Sequence, residues 1–183
     1  MTKLIVLDRD GVINHDSDDY IRSVDDWKPI DGSADAIARL NDAGYTVAVA
    51  TNQSGIGRQY LTADELDSIH ARMQGHIESA GGCIDAIVYC PHLPDAGCDC
   101  RKPSPGLLIQ LQDHYDVDMN GVPFIGDSER DLLAAQAVGA RPVLVLTGKG
   151  RKTLAALRAS GESPEVFEDL ASAVDSLLQE AGL

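Results

Sequence analysis

Near its start the chain carries an apolar run that closes on two carboxylates and a glycine, Leu4-Ile5-Val6-Leu7-Asp8-Arg9-Asp10-Gly11. The run has the length of a buried strand, and in a parallel α/β sheet ligands gather outside the carboxyl ends of the strands. Because side chains alternate along a strand, Asp8 and Asp10 can face the same side. Two carboxylates this close repel each other unless a cation or a proton lies between them. The segment predicts a Mg²⁺ site in which one aspartate can also act as a nucleophile, with a solvated Asp-rich turn as the alternative.

Length and charge limit what the chain can be. Its 183 residues suffice for a proper hydrophobic core, and we expect residues 1–183 to form a single domain. The net charge is −14, and aromatic residues make up 4% of the chain. This acidity opposes binding to nucleic acid or to an anionic membrane, and there is no evident platform for stacking bases. An anionic substrate therefore has to be held by local positive charge.

The sequence shows neither a secretory signal nor an apolar stretch of membrane length. We therefore expect a cytoplasmic protein, in which disulfides are uncommon and clustered cysteines point to a metal. With no large apolar patch to infer, a monomer is the expected state.

Apolar runs alternate with helix-like segments along the rest of the chain. Strands are predicted at 4–7, 46–50, 84–89, 122–125 and 142–146, with a weak sixth at 165–167. Helices are predicted at 34–43, 62–80, 106–115, 129–138, 152–159 and 170–181. Strands that alternate with helices predict an α/β fold with a doubly wound parallel sheet.

Polar groups follow four consecutive predicted strands. They are Asp8 with Asp10, Thr51-Asn52-Gln53-Ser54-Gly55, Arg101-Lys102-Pro103, and Gly126-Asp127-Ser128 with Asp131 beyond. Small hydroxyl and amide groups can hold phosphate oxygens, Lys102 supplies a compact positive charge, and Asp127 offers a third oxygen ligand for Mg²⁺. Each group has an ordinary alternative as a turn, a solvated side chain or a helix cap. Four such alternatives at four consecutive strand ends are a poor explanation, so we expect one site at this edge of the sheet.

These four segments resemble the four motifs of the haloacid dehalogenase superfamily of phosphatases, over most of the chain. The resemblance implies a Rossmann-like fold and catalysis through an aspartyl-phosphate, with Asp8 as nucleophile and Asp10 as general acid and base. It also implies that Thr51 and Lys102 hold the phosphoryl group. Mg²⁺ is expected on Asp8, the backbone carbonyl of Asp10, and Asp127.

A second signal is a cluster of soft metal ligands, Cys90-Pro91-His92 followed after five residues by Cys98-Asp99-Cys100. Three thiolates and one imidazole form a Cys₃His set that suits tetrahedral Zn²⁺. Since the protein fills all four positions, the zinc is expected to be structural and to pin the loop at about 90–100, before the third motif. Cys83 lies outside the cluster and is expected to be an ordinary half-buried thiol.

The zinc loop narrows the resemblance to two families, the D-glycero-D-manno-heptose-1,7-bisphosphate 7-phosphatases and the histidinol-phosphate phosphatases. The first implies little or no cap domain and Mg²⁺-dependent removal of the C7 phosphate of a sugar bisphosphate, on the route to nucleotide-activated heptose for lipopolysaccharide. The second stays open as the alternative. A non-enzymatic zinc module is a distant one, because it has no need of aspartates and a lysine at strand ends.

Several residues beside the motifs are expected to touch the substrate. Arg101, adjacent to Lys102, is placed to read a second anionic or polyhydroxyl part of the ligand. Further substrate contacts are expected from Asp16, Tyr20, Asn52, Gln53 and Ser54. The resemblance has one notable departure: Ser128 stands where some heptose phosphatases carry lysine, so one positive contact is missing.

Overall fold

The computed structural model describes residues 2–182, which are built around a six-stranded parallel sheet. The strands are β1 (Lys3–Leu7), β2 (Tyr45–Asn52), β3 (Ala86–Cys90), β4 (Pro123–Gly126), β5 (Arg141–Val145) and β6 (Glu165–Phe167). Their order across the sheet is β3-β2-β1-β4-β5-β6. The chain therefore builds outward from β1 in one direction and then from β4 in the other, which makes the β1/β4 boundary the topological switch point.

The helices within residues 2–182 are α1 (Ser33–Asp42), α2 (Ser54–Gly57), α3 (Ala63–Ser79), α4 (Gly106–Tyr115), α5 (Glu129–Ala137), α6 (Gly150–Ala159) and α7 (Leu170–Glu180). Every predicted strand and helix is confirmed, with ends displaced by two residues at most. The single-turn helix α2 was not predicted, since four residues carry no helical periodicity. Thr62 caps α3 through the reciprocal bonds with Glu65 that its sequence indicates.

Alternate residues of β1 face two different hydrophobic layers. Ile5 and Leu7 pack with α1, α3 and α7, whereas Leu4 and Val6 pack toward α4 and α5. Both faces of the sheet are therefore covered, which explains why the strand is apolar throughout rather than at every second position. Each such side chain contributes roughly 1.5–3 kcal/mol when it is fully buried. The doubly wound fold is thus confirmed.

Two long connections lie at the carboxyl edge of the sheet, residues 8–32 after β1 and residues 91–105 after β3. Apart from isolated bridges at Asn14, neither contains a helix or a strand, so no large cap covers the sheet within the described residues. Cys83 is exposed rather than half-buried, because it follows the turn that ends α3. None of the helices within 2–182 is both long and apolar enough to cross a bilayer.

Candidate active site

Asp8 follows β1 and belongs to a buried ion cluster. Its Oδ1 accepts a hydrogen bond from the Arg9 backbone N at 2.8 Å and lies 2.9 Å from Lys102 Nζ. The same Nζ lies 2.7 Å from Asp131 Oδ1 and donates to the Ala50 carbonyl at 2.8 Å. Lys102 is 2% exposed, so two carboxylates and a carbonyl hold its ammonium in one place. Removing one partner of such a buried pair typically costs about 3–5 kcal/mol.

The charged groups of this cluster shift one another's pKa values. Burial raises the pKa of Asp8 to about 6, although the nearby Lys102 charge lowers it. Burial by itself would lower the pKa of Lys102, but the Asp131 and Asp8 carboxylates raise it above its ordinary value. Lys102 therefore keeps its positive charge, and a fixed cation in a site of low dielectric is suited to the charge of a phosphoryl group.

Asp10 is held by a different set of donors. The fully buried Arg9 guanidinium donates to both carboxylate oxygens of Asp10, at 2.9–3.1 Å, and faces His70 Nε2 at 3.4 Å through Nη1. The side-chain amides of Asn14 and Gln53 each donate to Asp10 at 2.9 Å. Burial by itself raises the pKa of Asp10, but the Arg9 charge and these hydrogen bonds hold it below its ordinary value. The structure therefore favours the ionised form of Asp10.

Asp127 follows β4 and is enclosed by backbone. Its Oδ2 accepts a hydrogen bond from the Lys149 backbone N at 2.7 Å. A Cβ built at Gly11 or Gly148 would lie 2.1 or 2.2 Å from the same oxygen, so both positions require glycine for this close approach. Burial raises the pKa of Asp127 to about 8, and the Asp8 charge adds to the rise.

Three carboxylates converge where Mg²⁺ was predicted. Asp8, Asp127 and Asp131 each present an oxygen within 4.8 Å of the others. Lys102 neutralises one of these three charges, and a divalent cation would neutralise the other two. Asp131 Oδ1 is buried and, despite its ion pair, has no well-directed hydrogen bond. The residues fit Mg²⁺, which favours hard oxygen ligands, and Asp131 joins the predicted ligand set. That the backbone carbonyl of Asp10 also binds Mg²⁺ stays a prediction.

The predicted zinc ligands also lie together. Cys90 Sγ is 3.5 Å from His92 Nδ1 and 3.6 Å from Cys98 Sγ, and Cys100 Sγ is 3.2 Å from both His92 Nδ1 and Cys90 Sγ. A tetrahedral zinc site with the usual bond lengths has ligand-to-ligand separations of about 3.5–3.8 Å. All four cysteines of the chain are free of disulfides. The cluster therefore fits Zn²⁺ and would join the end of β3 to the segment that carries Arg101.

The predicted phosphate-binding residues are joined across strands. Gln53 Nε2 donates to Thr51 Oγ1 at 3.0 Å. The Asn52 side chain exchanges two hydrogen bonds of 3.1 Å with the backbone of Lys102. These contacts fix the loop before α4 to the end of β2. A small cavity of about 70 Å³ lies beside these two segments. It is lined by Thr51, Lys102, the predicted catalytic residues Asp8 and Asp10, and the candidate metal ligands Asp127 and Asp131.

A larger cavity of about 320 Å³ continues from this one and shares Asp10, Asp16, Asn52, Arg130 and Lys149 with it. All predicted substrate-contact residues line the larger cavity: Asp16, Tyr20, Asn52, Gln53, Ser54 and Arg101. Three of its cations were not predicted, namely Arg58, Arg130 and Lys149. We name Asp8, Asp10, Lys102, Asp127 and Asp131 together the charged crest.

Known proteins resemble this chain closely. Residues 99–173 match the family model of HAD-hydrolase-like proteins. The D-glycero-β-D-manno-heptose-1,7-bisphosphate 7-phosphatase of Pseudomonas aeruginosa is 56% identical over 176 residues, which cover 96% of this chain and 98% of that protein. The same-named protein of Bordetella bronchiseptica is 52% identical over 182 residues, covering 98% and 99% of the two chains.

Solved structures agree. The crystal structure of D,D-heptose 1,7-bisphosphate phosphatase from B. bronchiseptica, complexed with magnesium and phosphate, superposes with a TM-score of 0.93 at 51% identity, covering 98% of this chain and 99% of that one. The corresponding phosphatase from Burkholderia thailandensis gives 0.75 at 42% identity, covering 97% and 99%. By its sequence, its fold and the grouping of its motif residues at one edge of the sheet, the chain belongs to the heptose-bisphosphate phosphatase family of the haloacid dehalogenase superfamily.

Proposed function

We propose that this phosphatase removes the C7 phosphate of D-glycero-β-D-manno-heptose 1,7-bisphosphate, with Mg²⁺ as cofactor. The observation that carries the proposal is the charged crest, which joins a candidate nucleophile, a candidate acid and base, a fixed cation and a metal-binding carboxylate group at one edge of the sheet. The named phosphatases that match the chain over nearly its whole length support the choice of substrate and of the β-anomer.

Asp8 is the proposed nucleophile. Its contacts with Lys102 Nζ and with the Arg9 backbone N both fall on Oδ1, which leaves Oδ2 to attack phosphorus. Attack forms an aspartyl-phosphate as the bond between phosphorus and the sugar O7 breaks. Lys102 lies beside the attacking carboxylate and meets the charge of the transferring group, while the Thr51 hydroxyl is available to a phosphoryl oxygen.

Asp10 is the proposed acid and base. It protonates the departing O7 and then removes a proton from the water that attacks the aspartyl-phosphate, which releases phosphate and restores Asp8. The donors around Asp10 favour its carboxylate, the form that the base step requires. For the acid step, substrate binding has to raise the pKa of Asp10 above its value in the free enzyme. Arg9 keeps the carboxylate oriented in both steps.

The two metals have separate proposed roles. Asp8, Asp127, Asp131 and the Asp10 carbonyl would hold Mg²⁺, which supplies positive charge to the phosphoryl oxygens. Cys90, His92, Cys98 and Cys100 would hold a structural Zn²⁺. That zinc would fix the segment whose Pro94 and Arg101 line the larger cavity. We further propose a monomeric single-domain enzyme of the cytoplasm, acting on the route to nucleotide-activated heptose for lipopolysaccharide.

The experiment is phosphate release from a matched panel at saturating Mg²⁺: the two anomers of heptose 1,7-bisphosphate, histidinol phosphate and hexose bisphosphates. We expect the highest kcat/KM for the β-heptose bisphosphate, and ³¹P NMR of the product should show that the C1 phosphate remains. A preference for histidinol phosphate would replace this proposal by the alternative. Failure to hydrolyse any phosphate ester would instead favour the non-enzymatic zinc module.

A further inference from the structure

His70 is a buried polar side chain beside the active site that none of the roles above uses. It lies on the inner face of α3 with Leu66, Ile69 and Met73, and it is 6% exposed. Its ring packs edge-on against the Tyr89 ring of β3, with 6.1 Å between the two ring centres. A buried polar group destabilises a fold unless it has a partner, so the contacts of His70 indicate its use.

The partner of His70 is the Arg9 guanidinium. Arg9 Nη1 lies 3.4 Å from His70 Nε2. Since a guanidinium can only donate, Nε2 accepts this hydrogen bond and the ring proton resides on Nδ1. Burial, reinforced by the Arg9 charge, lowers the pKa of His70 to about 4, so the imidazole is neutral at pH 7 and keeps its accepting lone pair. At 3.4 Å the bond is weak, and it contributes a fixed direction for Nη1 rather than strength.

Arg9 is held at both ends of its side chain. Its backbone carbonyl accepts a hydrogen bond from Ile13 N at 2.9 Å, within the turn that follows β1. Its guanidinium is fully buried and, considering residues 2–182, has hydrogen bonds with two side chains alone, those of Asp10 and His70. Asp10 accepts from Nε and Nη2, and His70 accepts from Nη1. Because a guanidinium is planar, the contact at Nη1 also sets the plane in which Nε and Nη2 point.

The two oxygens of Asp10 differ in how many donors they face. Oδ1 accepts from Arg9 Nε, Arg9 Nη2 and the Asn14 amide, at 2.9–3.0 Å. Oδ2 accepts from Arg9 Nη2 at 3.1 Å and from the Gln53 amide at 2.9 Å. Oδ1 therefore has more donors than lone pairs, and a proton is accommodated more readily on Oδ2. Oδ2 also lies on the side of Gln53, which lines the larger cavity.

We propose that His70 is a positioning residue for the reaction: it fixes the Arg9 guanidinium, and Arg9 in turn holds Asp10 so that Oδ2 exchanges the proton. The inference rests on the proposed function, because it requires Asp10 as acid and base. In the acid step the proton passes from Oδ2 to O7 as the bond between phosphorus and O7 breaks and the bond between Asp8 and phosphorus forms. In the base step water loses a proton to the same oxygen. A carboxylate turned away from this alignment loses rate in both steps.

Asn14 and Gln53 are the competing positioning residues, since they also hold Asp10. Each of them donates one hydrogen bond to one oxygen of the carboxylate. Arg9 donates to both oxygens, so it fixes the plane of the carboxylate as well as its place. His70 therefore acts on the donor that has the greatest control over the direction of Oδ2.

The test measures kcat/KM on the heptose bisphosphate and on two small esters of nearly equal size, p-nitrobenzyl phosphate and p-nitrophenyl phosphate. The first two release alkoxides, which need a proton, whereas p-nitrophenolate leaves without one. Since kcat/KM reports the steps up to formation of the aspartyl-phosphate, it isolates the acid step. We expect His70→Leu to lower kcat/KM about tenfold on the two alkyl esters and less than about threefold on p-nitrophenyl phosphate.

Two further variants make the comparison specific. His70→Gln carries a side-chain oxygen that can replace Nε2 as the acceptor for Arg9, so it should recover most of the loss. Ile77→Val is the matched control, because it alters packing on the same face of α3 about two turns away and removes no acceptor. It should behave as wild type on all three esters. If His70→Leu does not fold, His70→Asn replaces it, since its shorter side chain withdraws the acceptor and the same selective loss is expected.

The outcomes separate this inference from the proposed function. Asp10→Asn should lose far more activity on the alkyl esters than on p-nitrophenyl phosphate, and an equal loss on all three would contradict the acid role of Asp10 itself. If Asp10→Asn is selective, then an equal loss by His70→Leu on all three esters, a loss on the bisphosphate alone, or no loss would overturn the role of His70. In the Asp10→Asn background, His70→Leu should cause no further loss in kcat/KM. A full additional loss there would show that His70 does not act through Asp10.

Discussion

The charged crest and the zinc loop, residues 90–100, lie side by side and are held by different means. The charged crest is anchored by buried ion pairs and by the ends of three central strands, with Lys102 at 2% exposure and Asp131 at 1%. The zinc loop has, within the described residues, one internal backbone hydrogen bond, from Ala96 N to the Leu93 carbonyl. Its remaining order has to come from its ends and from the Cys₃His cluster.

This difference indicates which region can carry catalysis and which can carry substrate recognition. Chemistry needs groups that are placed by the sheet itself, because small displacements of reacting groups cost large factors in rate. Recognition can be carried by a loop that varies in length and sequence, provided that a cross-link fixes its shape. Damage to the charged crest should therefore abolish turnover, and damage to the zinc loop should change which substrates are used.

The largest expected effect comes from Asp8→Asn. The amide is nearly isosteric with the carboxylate but is a poor nucleophile, so kcat should fall by at least about 10³-fold while the circular dichroism spectrum is unchanged. Asp113→Asn, an exposed substitution on α4, is the charge-matched control and should keep full activity. Near-normal turnover by a folded Asp8→Asn enzyme would rule out the aspartyl-phosphate mechanism.

Cys98→Ser should break the zinc loop and leave the sheet folded. The variant should lose the zinc, about one ion per chain in the wild type, and limited proteolysis should cut between residues 91 and 105. Because Arg101 directly follows the loop and would be displaced with it, kcat/KM on the bisphosphate should fall by roughly 100-fold.

Cys83→Ser provides the control for that experiment, since Cys83 is exposed and outside the cluster. It should keep the zinc, the protease resistance and the activity. If Cys98→Ser also keeps all three, the loop does not depend on the metal, and the contrast with the charged crest disappears.

Arg101→Ala tests the junction between the two regions. Arg101 is joined to the zinc loop through Cys100 and to the charged crest through Lys102, so its loss should affect recognition more than chemistry. We expect kcat/KM on the bisphosphate to fall by about 10- to 100-fold and to approach that of small phosphate esters. Steady-state kinetics with the bisphosphate and with a small phosphate ester will show this. Arg72→Ala, at an exposed arginine of α3, is the charge-matched control. Equal losses on both substrates would place Arg101 in the catalytic machinery instead.

The last expected effect is on stability rather than on turnover, and it concerns pH and His70, which packs behind the Arg9–Asp10 pair. Burial, reinforced by the Arg9 charge, lowers the pKa of His70 to about 4, whereas in the unfolded chain it titrates near 6.5. The unfolded state therefore binds the extra proton. The stability linked to His70 is complete above pH 6.5 and is lost as the pH falls from 6.5 toward 4, by up to about 3 kcal/mol.

Urea unfolding between pH 7.5 and 4.5 measures this slope. His70→Gln, which keeps an acceptor for Arg9, should lose less stability over that range than the wild type. His114→Gln, on the exposed surface of α4, should leave the slope as it is. Parallel pH profiles for the wild type and His70→Gln would mean that His70 already carries its proton in the folded enzyme or never binds one in either state.

Much of the fold could be predicted because each strand and helix has a local pattern. The apolar run ending at Leu7, the Thr62 capping box and the glycines after helices all act within a few residues. The grouping of Asp8, Thr51, Lys102 and Asp127 could also be predicted, since it follows once the strands are known to be parallel. Helix α2, a single turn, has no such pattern.

The unpredicted part of the site depends on directions and pairings that no local pattern contains. Arg130 and Lys149 stand at the beginnings of α5 and α6, and only the packing of those helices on the sheet aims their side chains at the cavity. His70 contacts Arg9 across 61 positions of sequence, and a lone histidine on a helix gives no sign of such a partner. The sequence places Asp131 just beyond the Gly126-Asp127-Ser128 segment. Its ion pair with Lys102 could not be predicted, because it depends on the three-dimensional arrangement.

The four cations of the larger cavity lie in a chain whose net charge is −14. The rate at which the substrate binds should therefore depend on ionic strength. At low ionic strength the field of the whole protein extends tens of ångströms and repels a substrate that carries two phosphate groups. At about 0.1 M salt the screening length is about 10 Å, so the approaching substrate is exposed mainly to the nearby arginines and lysine. Moderate salt should therefore hasten capture of the substrate, and only higher salt should weaken its hold. In this respect we expect capture of the substrate to be faster at moderate ionic strength than in dilute buffer.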